Sequence, residues 1–150
     1  MNYRSIHSPL GELTLFEEDG KLVALDWGWV EGGGDAPVLT AARQQLDAYF
    51  DGRRRQFALP LALDGTPFQQ KVWAALRRIP YGEVLNYGAL AAQIGSAPRP
   101  VGGACARNPL PIIVPCHRVM AADGGLGGYS GLDGVNTKRF LLALEGRKIA

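Results

Sequence analysis

Residues 108–119 read NPLPIIVPCHRV, an apolar run interrupted by three prolines, with a cysteine and a histidine side by side near its end. Proline lacks a backbone N–H donor and fixes φ, so this run can neither continue a helix nor pair freely in a sheet. We therefore expect a rigid, extended strand that holds Cys116 in one defined position. A rigid carrier suits a reactive group, and Cys116 is our candidate nucleophile.

A cysteine attacks as its thiolate, which a neighbouring base or positive charge stabilises. His117 and Arg118 follow Cys116 directly. Because adjacent side chains on a strand point to opposite faces, we expect a turn or, preferably, a bridging water to connect Cys116 with His117. Glu145, after the amphipathic segment 138–144, is the leading candidate to orient the imidazole. The alternative is an inert buried cysteine beside a satisfied histidine.

The composition bounds the protein class. With 150 residues, 47% of them hydrophobic and 20% charged, the chain is in the range of soluble globular proteins. No apolar run approaches the roughly 20 residues of a membrane span, and the N-terminus lacks the apolar core of a secretory signal. We therefore expect a cytoplasmic protein that does not meet a membrane. Two cysteines and two histidines indicate no structural zinc, so we expect free thiols, no metal and no cofactor.

The net charge of +2 is divided unevenly along the chain. Residues 1–62 carry six Lys/Arg and nine Asp/Glu, for a net charge of −3, whereas residues 63–150 carry ten and five, for +5. A basic C-terminal portion is typical of a surface that meets an anionic partner, although ordinary solvated charge explains it equally well.

The N-terminal portion reads as three short strands followed by a helix. Asp19-Gly20 and the region around Gly11 separate segments of strand character, which indicates an antiparallel meander over 3–7, 11–17 and 22–27. A helix is expected over 38–50, ending at Asp51-Gly52. The triplet Arg53-Arg54-Arg55 is either a phosphate patch or, as we favour, a solvated helix end.

The C-terminal portion begins with helices. Thr66 before Pro67 is typical of a capped helix start, and apolar residues at helical spacing extend that helix to Ile79. Asn86 can cap a second helix up to Ile94, and a third helix is expected over 101–107 after Pro98 and Pro100. This third helix contains Gly102 and Gly103, which lower helix propensity by about 1 kcal/mol each. Close approach to a nucleic acid explains them, and so does tight packing inside the protein.

Five motifs in this order resemble the O6-alkylguanine-DNA alkyltransferase family: TPFQ at 66–69, IPYGE at 79–83, VGGA at 101–104, NP at 108–109 and PCHRV at 115–119. The resemblance is strongest over 66–149. It implies an α+β fold, with an N-terminal ribonuclease-H-like domain of β-meander and helix over 1–62. The C-terminal domain, 63–150, would be winged-helix-like, with a helix-turn-helix that binds DNA and carries the alkyl acceptor.

The activity that the resemblance implies is direct reversal of DNA damage. The alkyl group of O6-alkylguanine, with O4-alkylthymine as a second potential substrate, would move irreversibly to Cys116, once per molecule. The damaged nucleotide would first be flipped out of the duplex. In this scheme His117 activates Cys116 through a water, Glu145 holds the imidazole, and Asn108 braces the turn before the reactive segment.

The resemblance also assigns the base pocket. Tyr87 would donate to guanine N3, and the backbone carbonyls of Cys116 and Val119 would accept from the exocyclic amine. Tyr129 and Ser130 would lie in the loop over the pocket, with Ser130 addressing O6. Pro111 and Gly127 look like pocket positions that admit bulky alkyl groups, so we expect benzyl to be accepted as well as methyl. Residues 130–137 are a residue or two longer than in the family.

The DNA contacts implied are those of a minor-groove binder on alkylated double-stranded DNA. Arg99 would be inserted into the base stack, and the third helix would approach DNA through Gly102, Gly103 and Ala104. Arg107, where many members have a small residue, would contact a phosphate. We expect a monomer, with cooperative binding along DNA left open. The N-terminal zinc ligands of some members are missing here.

Three other functions compete with this hypothesis. A lesion sensor of alkyltransferase-like type would share the scaffold but lack the acceptor cysteine, and Cys116 argues against it. A winged-helix regulator with a cysteine redox switch would prefer one DNA sequence over a lesion. A cysteine hydrolase would turn over repeatedly, and no oxyanion-hole motif supports it.

Overall fold

The computed structural model divides the chain into two compact units, Met1–Asp64 and Gly65–Ala150. It describes residues 1–129, 131–132 and 134–147. Within these residues, no helix combines the length and the apolar character that a membrane crossing requires.

The first unit is a three-stranded antiparallel sheet covered by one helix. Strands β1 (Asn2–Ile6), β2 (Leu13–Glu18) and β3 (Lys21–Trp27) pair in the order of the sequence, so the predicted meander is present. Asp19 and Gly20, with φ of 51° and 81°, form the two-residue turn between β2 and β3. Two residues at positive φ match the right-handed twist of a hairpin, which is why a glycine stands there.

Helix α1 (Pro37–Phe50) buries one apolar face, from Leu39 to Leu46 and Tyr49, in the core of this unit. Two arginines of the triplet after α1 are engaged locally. The Arg53 guanidinium lies 3.0 Å from the Asp51 carboxylate, and Arg54 Nε donates to the Gln56 carbonyl at 2.6 Å. These contacts are those of a solvated chain segment at a helix end.

The second unit begins with helix α2 (Pro67–Arg77), whose start is fixed by a capping box. The Thr66 hydroxyl accepts from the Gln69 N–H, and the Gln69 side chain accepts from the Thr66 N–H. Two orphan donors are thereby satisfied reciprocally. The buried Trp73 donates its indole N–H to the Ala104 carbonyl at 2.9 Å. This bond connects α2 with the helix that contains Ala104, Pro98–Ala106.

Helices α3 (Tyr87–Gln93) and α4 (Pro98–Ala106) form the predicted helix-turn-helix. The Asn86 side chain caps α3 by accepting from the Ala89 N–H at 2.7 Å. Gly95, at φ 67°, lies in the turn, and Pro98 and Pro100 occupy the first turn of α4, where N–H donors have no intrahelical partner. Strands β4 (Leu85–Asn86) and β5 (Val119–Met120) pair in parallel, and α5 (Val135–Leu144) closes the unit.

The prediction of an extended strand through Cys116 is wrong, because the chain forms tight turns there instead. Leu110–Val114 forms a turn closed by the Val114 N–H on the Leu110 carbonyl at 2.9 Å, and Cys116–Arg118 is a 3₁₀ helix. Between them, Pro115 has φ −82° and ψ 66°, the geometry of an inverse γ-turn. Because the prolines remove donors needed for a sheet, the remaining N–H groups bond locally, and pairing begins only at Val119.

Candidate active site

Cys116 is the first residue of the 3₁₀ helix and is 8% exposed. It opens onto a cavity of about 300 Å³ in the second unit. The described residues that line this cavity are Tyr87, Gly102, Cys105, Ala106, Cys116, Gly128 and Tyr129. A nucleophile at the wall of a small cavity, with two phenol rings beside it, is suited to a flat organic group that enters from outside.

The Asn108 side chain holds the segment that leads to Cys116. Its Nδ2 donates to the Val114 carbonyl at 2.8 Å, and its Oδ1 accepts from the Leu110 N–H at 2.9 Å. The Val114 carbonyl also accepts from the Cys116 N–H at 2.8 Å. One amide therefore fixes both ends of the 110–114 turn and, through Val114, the backbone of the cysteine.

His117, Arg118 and Glu145 form a buried hydrogen-bonded network. His117 Nε2 lies 2.8 Å from Glu145 Oε2. Arg118 donates through Nε to Glu145 Oε1 at 2.8 Å and through Nη2 to Oε2 at 2.9 Å, and its Nη1 donates to the Ile79 carbonyl at 2.7 Å. The carboxylate thus receives a two-point contact from a guanidinium and a third contact from the imidazole.

The protonation states follow from these contacts. Burial opposes ionisation of Glu145, but the hydrogen bonds from His117 and Arg118 outweigh it and lower the pKa of Glu145 to about 2. Burial lowers the pKa of His117 despite the opposing attraction of Glu145. With the carboxylate balanced by Arg118, we assign His117 as neutral, its Nε2–H directed at Glu145. Its buried Nδ1 has no hydrogen-bond partner among the described residues, so its lone pair is free to accept a proton.

The sulfur of Cys116 experiences opposing influences. Burial raises the pKa of the Cys116 thiol. The Asn108 amide, the Lys138 charge, the Cys116 N–H and the Tyr129 hydroxyl all lower it, in that order of importance. The resting group is therefore a thiol, surrounded by groups that stabilise the thiolate once a base removes its proton.

Lys138 is a residue that the sequence reasoning did not single out. Its side chain is fully buried, and its Nζ donates to the Val119 carbonyl at 2.5 Å and to the Gly128 carbonyl at 3.3 Å. It also lies 6.0 Å from the centre of the Tyr87 ring. A signal was available, because Lys138 shares the i, i+3, i+4, i+7 spacing of Leu141, Leu142 and Glu145. A lysine on an apolar stripe is unusual unless it has buried partners.

The cavity's hydroxyl and second thiol groups stay protonated near neutral pH. Burial raises the pKa of Tyr87 to about 12, and it raises the pKa of Cys105 to about 12, with help from Cys116. Burial raises the pKa of Tyr129. Among the described residues, the Tyr129 hydroxyl makes no hydrogen bond within normal distance and angle limits. It is nevertheless near enough to the Cys116 sulfur to lower the pKa of that thiol. Tyr87 can therefore act as a hydrogen-bond donor, and Cys105 is a poor nucleophile.

Other predicted pocket residues have different placements. Val119 is buried, and its carbonyl already accepts from Lys138 with one lone pair. Pro111 is buried at the start of the turn and is not among the lining residues of the cavity described above. Gly127, at φ 68°, approaches the Tyr87 ring. Ser130 lies outside the described residues.

The predicted DNA-contacting residues lie partly on one exposed face of α4. Arg99, Gly103 and Arg107 are exposed. A Cβ atom at Gly103 would meet nothing within 4 Å, so internal packing does not require that glycine. A Cβ atom added at Gly102 would lie 4.0 Å from Cε1 of Tyr87, so Gly102 is on the side of the Tyr87 ring. The structure does not place Ala104 with this face, because its side chain is 3% exposed and its carbonyl accepts from Trp73.

Comparison with known proteins gives two matches that together cover nearly the whole chain. The ribonuclease-like domain of 6-O-methylguanine DNA methyltransferase matches residues 1–63, and the DNA-binding domain of the same family matches residues 67–147. The chain belongs to the 6-O-methylguanine DNA methyltransferase family. Among the described residues of this family member, no three His, Cys, Asp or Glu side chains are grouped so that they could hold a metal ion.

Individual relatives of this 6-O-methylguanine DNA methyltransferase family member agree with the match. The constitutive methylated-DNA–protein-cysteine methyltransferase of Bacillus subtilis is 47% identical over 95% of the chain and 94% of its own length. The methylated-DNA–protein-cysteine methyltransferase of Mycobacterium leprae is 46% identical over 97% of the chain and 93% of its own length. A crystal structure of Mycobacterium tuberculosis OGT in complex with DNA superposes with a TM-score of 0.88, at 46% identity, covering 100% of this chain and 96% of that one.

Proposed function

We propose that this protein is a methylated-DNA–protein-cysteine S-methyltransferase that repairs O6-alkylguanine in double-stranded DNA by moving the alkyl group to Cys116. The observation that carries the proposal is the position of Cys116. Its sulfur faces a cavity of about 300 Å³ and follows a turn held by Asn108, and a buried imidazole with a free Nδ1 is the next residue. The names of the relatives support the same activity.

The reaction is a single displacement at carbon. The thiol proton passes to His117 Nδ1 through a water, and the sulfur forms a bond to the alkyl carbon as the bond from that carbon to O6 breaks. The electron pair of the broken bond goes to the guanine, which Tyr87 stabilises by donating a hydrogen bond and which finally takes up the proton. The product is a thioether, which has no acyl carbonyl for water to attack, so each molecule acts once.

The base has to reach the sulfur, and a base stacked in a duplex cannot. Extrusion of the nucleotide costs a few kcal/mol, least for a lesion that pairs badly. We propose that Arg99, exposed at the start of α4, fills the gap in the stack. Within the pocket, the carbonyls of Cys116 and Val119 accept from the exocyclic amine, and Tyr129 covers the base. The same pocket admits O6-benzylguanine on the side of Gly127, which approaches the Tyr87 ring, whereas Pro111 lies outside the cavity lining.

The DNA surface that we propose is the exposed face of α4 around Gly102 and Gly103, entering the minor groove. The open space above Gly103 supports a close approach of the helix backbone to DNA. Arg107 contacts a phosphate. Because phosphate contacts release counterions, binding weakens steeply as salt is raised. We further propose that the protein is a monomer and that it works in the cytoplasm, where its substrate would be. We also propose that the boundary between the N-terminal domain and the DNA-binding domain lies near residue 63.

A titration of the protein with an O6-methylguanine duplex tests the activity. Lesions removed from the DNA, counted by nucleoside chromatography, should equal protein molecules and then stop. A lesion sensor would bind the duplex and remove nothing. A hydrolase would remove many lesions per molecule, and a regulator would show no preference for the lesion over the undamaged duplex.

A further inference from the structure

Ile112 has a backbone conformation that its side chain disfavours. Its φ is 76°, in the left-handed region. A β-branched residue there is a genuine outlier, because the branched Cβ crowds the backbone. Such conformations persist only where the surroundings enforce them, and they cluster at functional sites. Ile112 lies four residues before Cys116.

The surroundings of Ile112 explain how the conformation is held. Its side chain is 1% exposed, and the flanking Leu110, Ile113 and Val114 are also buried. It is the central residue of the turn that the Val114 N–H closes on the Leu110 carbonyl at 2.9 Å. If the Ile112 side chain left the core, the turn could relax to negative φ. The cost of exposing that side chain prevents this.

The two ends of this turn are the groups that Asn108 binds. Its amide accepts from the Leu110 N–H and donates to the Val114 carbonyl, and the Val114 carbonyl also accepts from the Cys116 N–H. A change of φ at Ile112 would move Val114 relative to Leu110. After that movement, the two hydrogen bonds of the Asn108 side chain and the bond from the Cys116 N–H to the Val114 carbonyl could not all be kept.

We propose that Ile112 is a positioning residue for the acceptor sulfur: its buried side chain holds the turn in the left-handed conformation that places the Val114 carbonyl, and hence Cys116, for reaction. The proposal rests on the proposed alkyl transfer. It differs from a simple packing role, because it makes the conformation at residue 112, and not only the filled volume, important for the rate.

Two substitutions separate conformation from packing. Ile112→Ala and Ile112→Gly both remove the anchoring side chain. Alanine at positive φ remains strained, so the turn relaxes and Cys116 shifts, whereas glycine adopts positive φ without strain and keeps the turn. Glycine should therefore react faster than alanine, by about fivefold or more. If packing alone mattered, glycine would be no better than alanine.

The rate is measured in single-turnover reactions at saturating O6-methylguanine duplex, and the final extent of transfer counts the folded, active molecules. We expect unchanged affinity for DNA in both variants. The matched control is Ile113→Ala and Ile113→Gly, a buried neighbour without positive φ, where glycine should give no advantage. Equal or slower reaction of Ile112→Gly compared with Ile112→Ala would overturn the proposal.

A second readout does not depend on DNA. In a Cys105→Ala background, the rate at which iodoacetamide alkylates Cys116 is measured at a series of pH values. The rate of Ile112→Gly should be closer to that of the parent than the rate of Ile112→Ala is. If the parent protein fails to repair DNA but this order holds, the proposed function fails and the positioning role stands. If neither variant folds, Ile112→Val decides, because it keeps a buried β-branched side chain: a rate within about fivefold of the parent would support the proposal, and a larger loss would overturn it.

Discussion

Arg118 donates two parallel hydrogen bonds, of 2.8 and 2.9 Å, to the Glu145 carboxylate. The same carboxylate contacts His117. All three side chains are buried. Because the guanidinium already balances the carboxylate, the imidazole does not need to be protonated to satisfy the network. Arg118 thereby keeps His117 available as a base, a role that differs from the one expected from the sequence, in which Arg118 was a positive charge beside the Cys116 thiolate.

Replacing Arg118 by lysine should impair both stability and chemistry. A single ammonium cannot reproduce the two-point contact with Glu145 and the bond to the Ile79 carbonyl. We expect a loss of about 1–3 kcal/mol in the free energy of unfolding, the range for buried polar groups left without a hydrogen-bond partner. The pKa of His117 should rise, as measured by NMR titration, because an ammonium holds Glu145 by fewer hydrogen bonds and leaves more of the carboxylate charge to attract a proton on the imidazole.

Arg147 provides the matched control, because it is an exposed arginine in the same unit that donates to the Gly82 carbonyl. Arg147→Lys should change the free energy of unfolding by less than about 1 kcal/mol and leave the His117 titration in place. Similar losses in the two variants would contradict the special role of Arg118.

The stability of the protein should fall on the acid side in two stages. Because the pKa of His117 is lowered from 6.5, the unfolded chain binds a proton at this imidazole more readily than the folded protein does. The free energy of unfolding therefore declines as the pH falls below 6.5. The pKa of Glu145 is lowered from 4.5 to about 2, so its contribution is present above pH 4.5 and is lost toward pH 2. Urea unfolding at a series of pH values measures both stages. In Glu145→Gln, the stage between pH 4.5 and 2 should shrink, and an unchanged curve would refute the assignment.

Lys138→Met tests the buried positive charge beside the sulfur. Lysine lowers the pKa of Cys116, so its removal should raise that pKa and slow the reaction of Cys116 with iodoacetamide at neutral pH, about tenfold for each unit of pKa. A Cys105→Ala background isolates the signal. The neighbouring Arg139→Met, at an exposed position of α5, should leave the rate unchanged, and equal slowing by both variants would count against a specific effect of Lys138.

Much of the fold followed from local sequence signals. Thr66-Pro67 and Asn86 start helices because their side chains satisfy backbone donors, and the Asp19-Gly20 turn sets the hairpin because its two residues adopt positive φ. These signals depend on residues within four positions of each other. For that reason they could be read without knowledge of the tertiary structure.

The geometry around Cys116 could not be read in that way. The prolines excluded a helix and a regular ladder, but which turns replace them depends on the burial of Ile112 and on the bonds of the Asn108 amide to Leu110 and Val114. Likewise, the sequence shows that Lys138 lies on an apolar stripe, but neither its carbonyl partners nor the partner of Arg118 is visible in the sequence. Only the tertiary fold brings Arg118 within 2.8 Å of Glu145, 27 positions away.

Gly103→Ala should separate stability from DNA binding. Alanine is the better helix former and meets no atom within 4 Å, so the free energy of unfolding should rise by about 0.5–1 kcal/mol. If this face of α4 approaches DNA closely, the added methyl group should weaken binding to a lesion duplex, as measured by fluorescence anisotropy at fixed salt. Greater stability without weaker binding would place the DNA surface elsewhere.

The most direct test of Cys116 as the alkyl acceptor is the mass of the intact protein after incubation with an O6-methylguanine duplex, followed by peptide mapping. We expect the protein to gain one methyl group in place of one thiol hydrogen, located on Cys116. Cys105→Ala should gain the same mass, because Cys105, whose pKa is raised to about 12, is a poor nucleophile and not the acceptor, and Cys116→Ala should gain none. An unchanged mass of the parent protein, or a methyl group found on Cys105, would contradict the assignment of Cys116 as the alkyl acceptor.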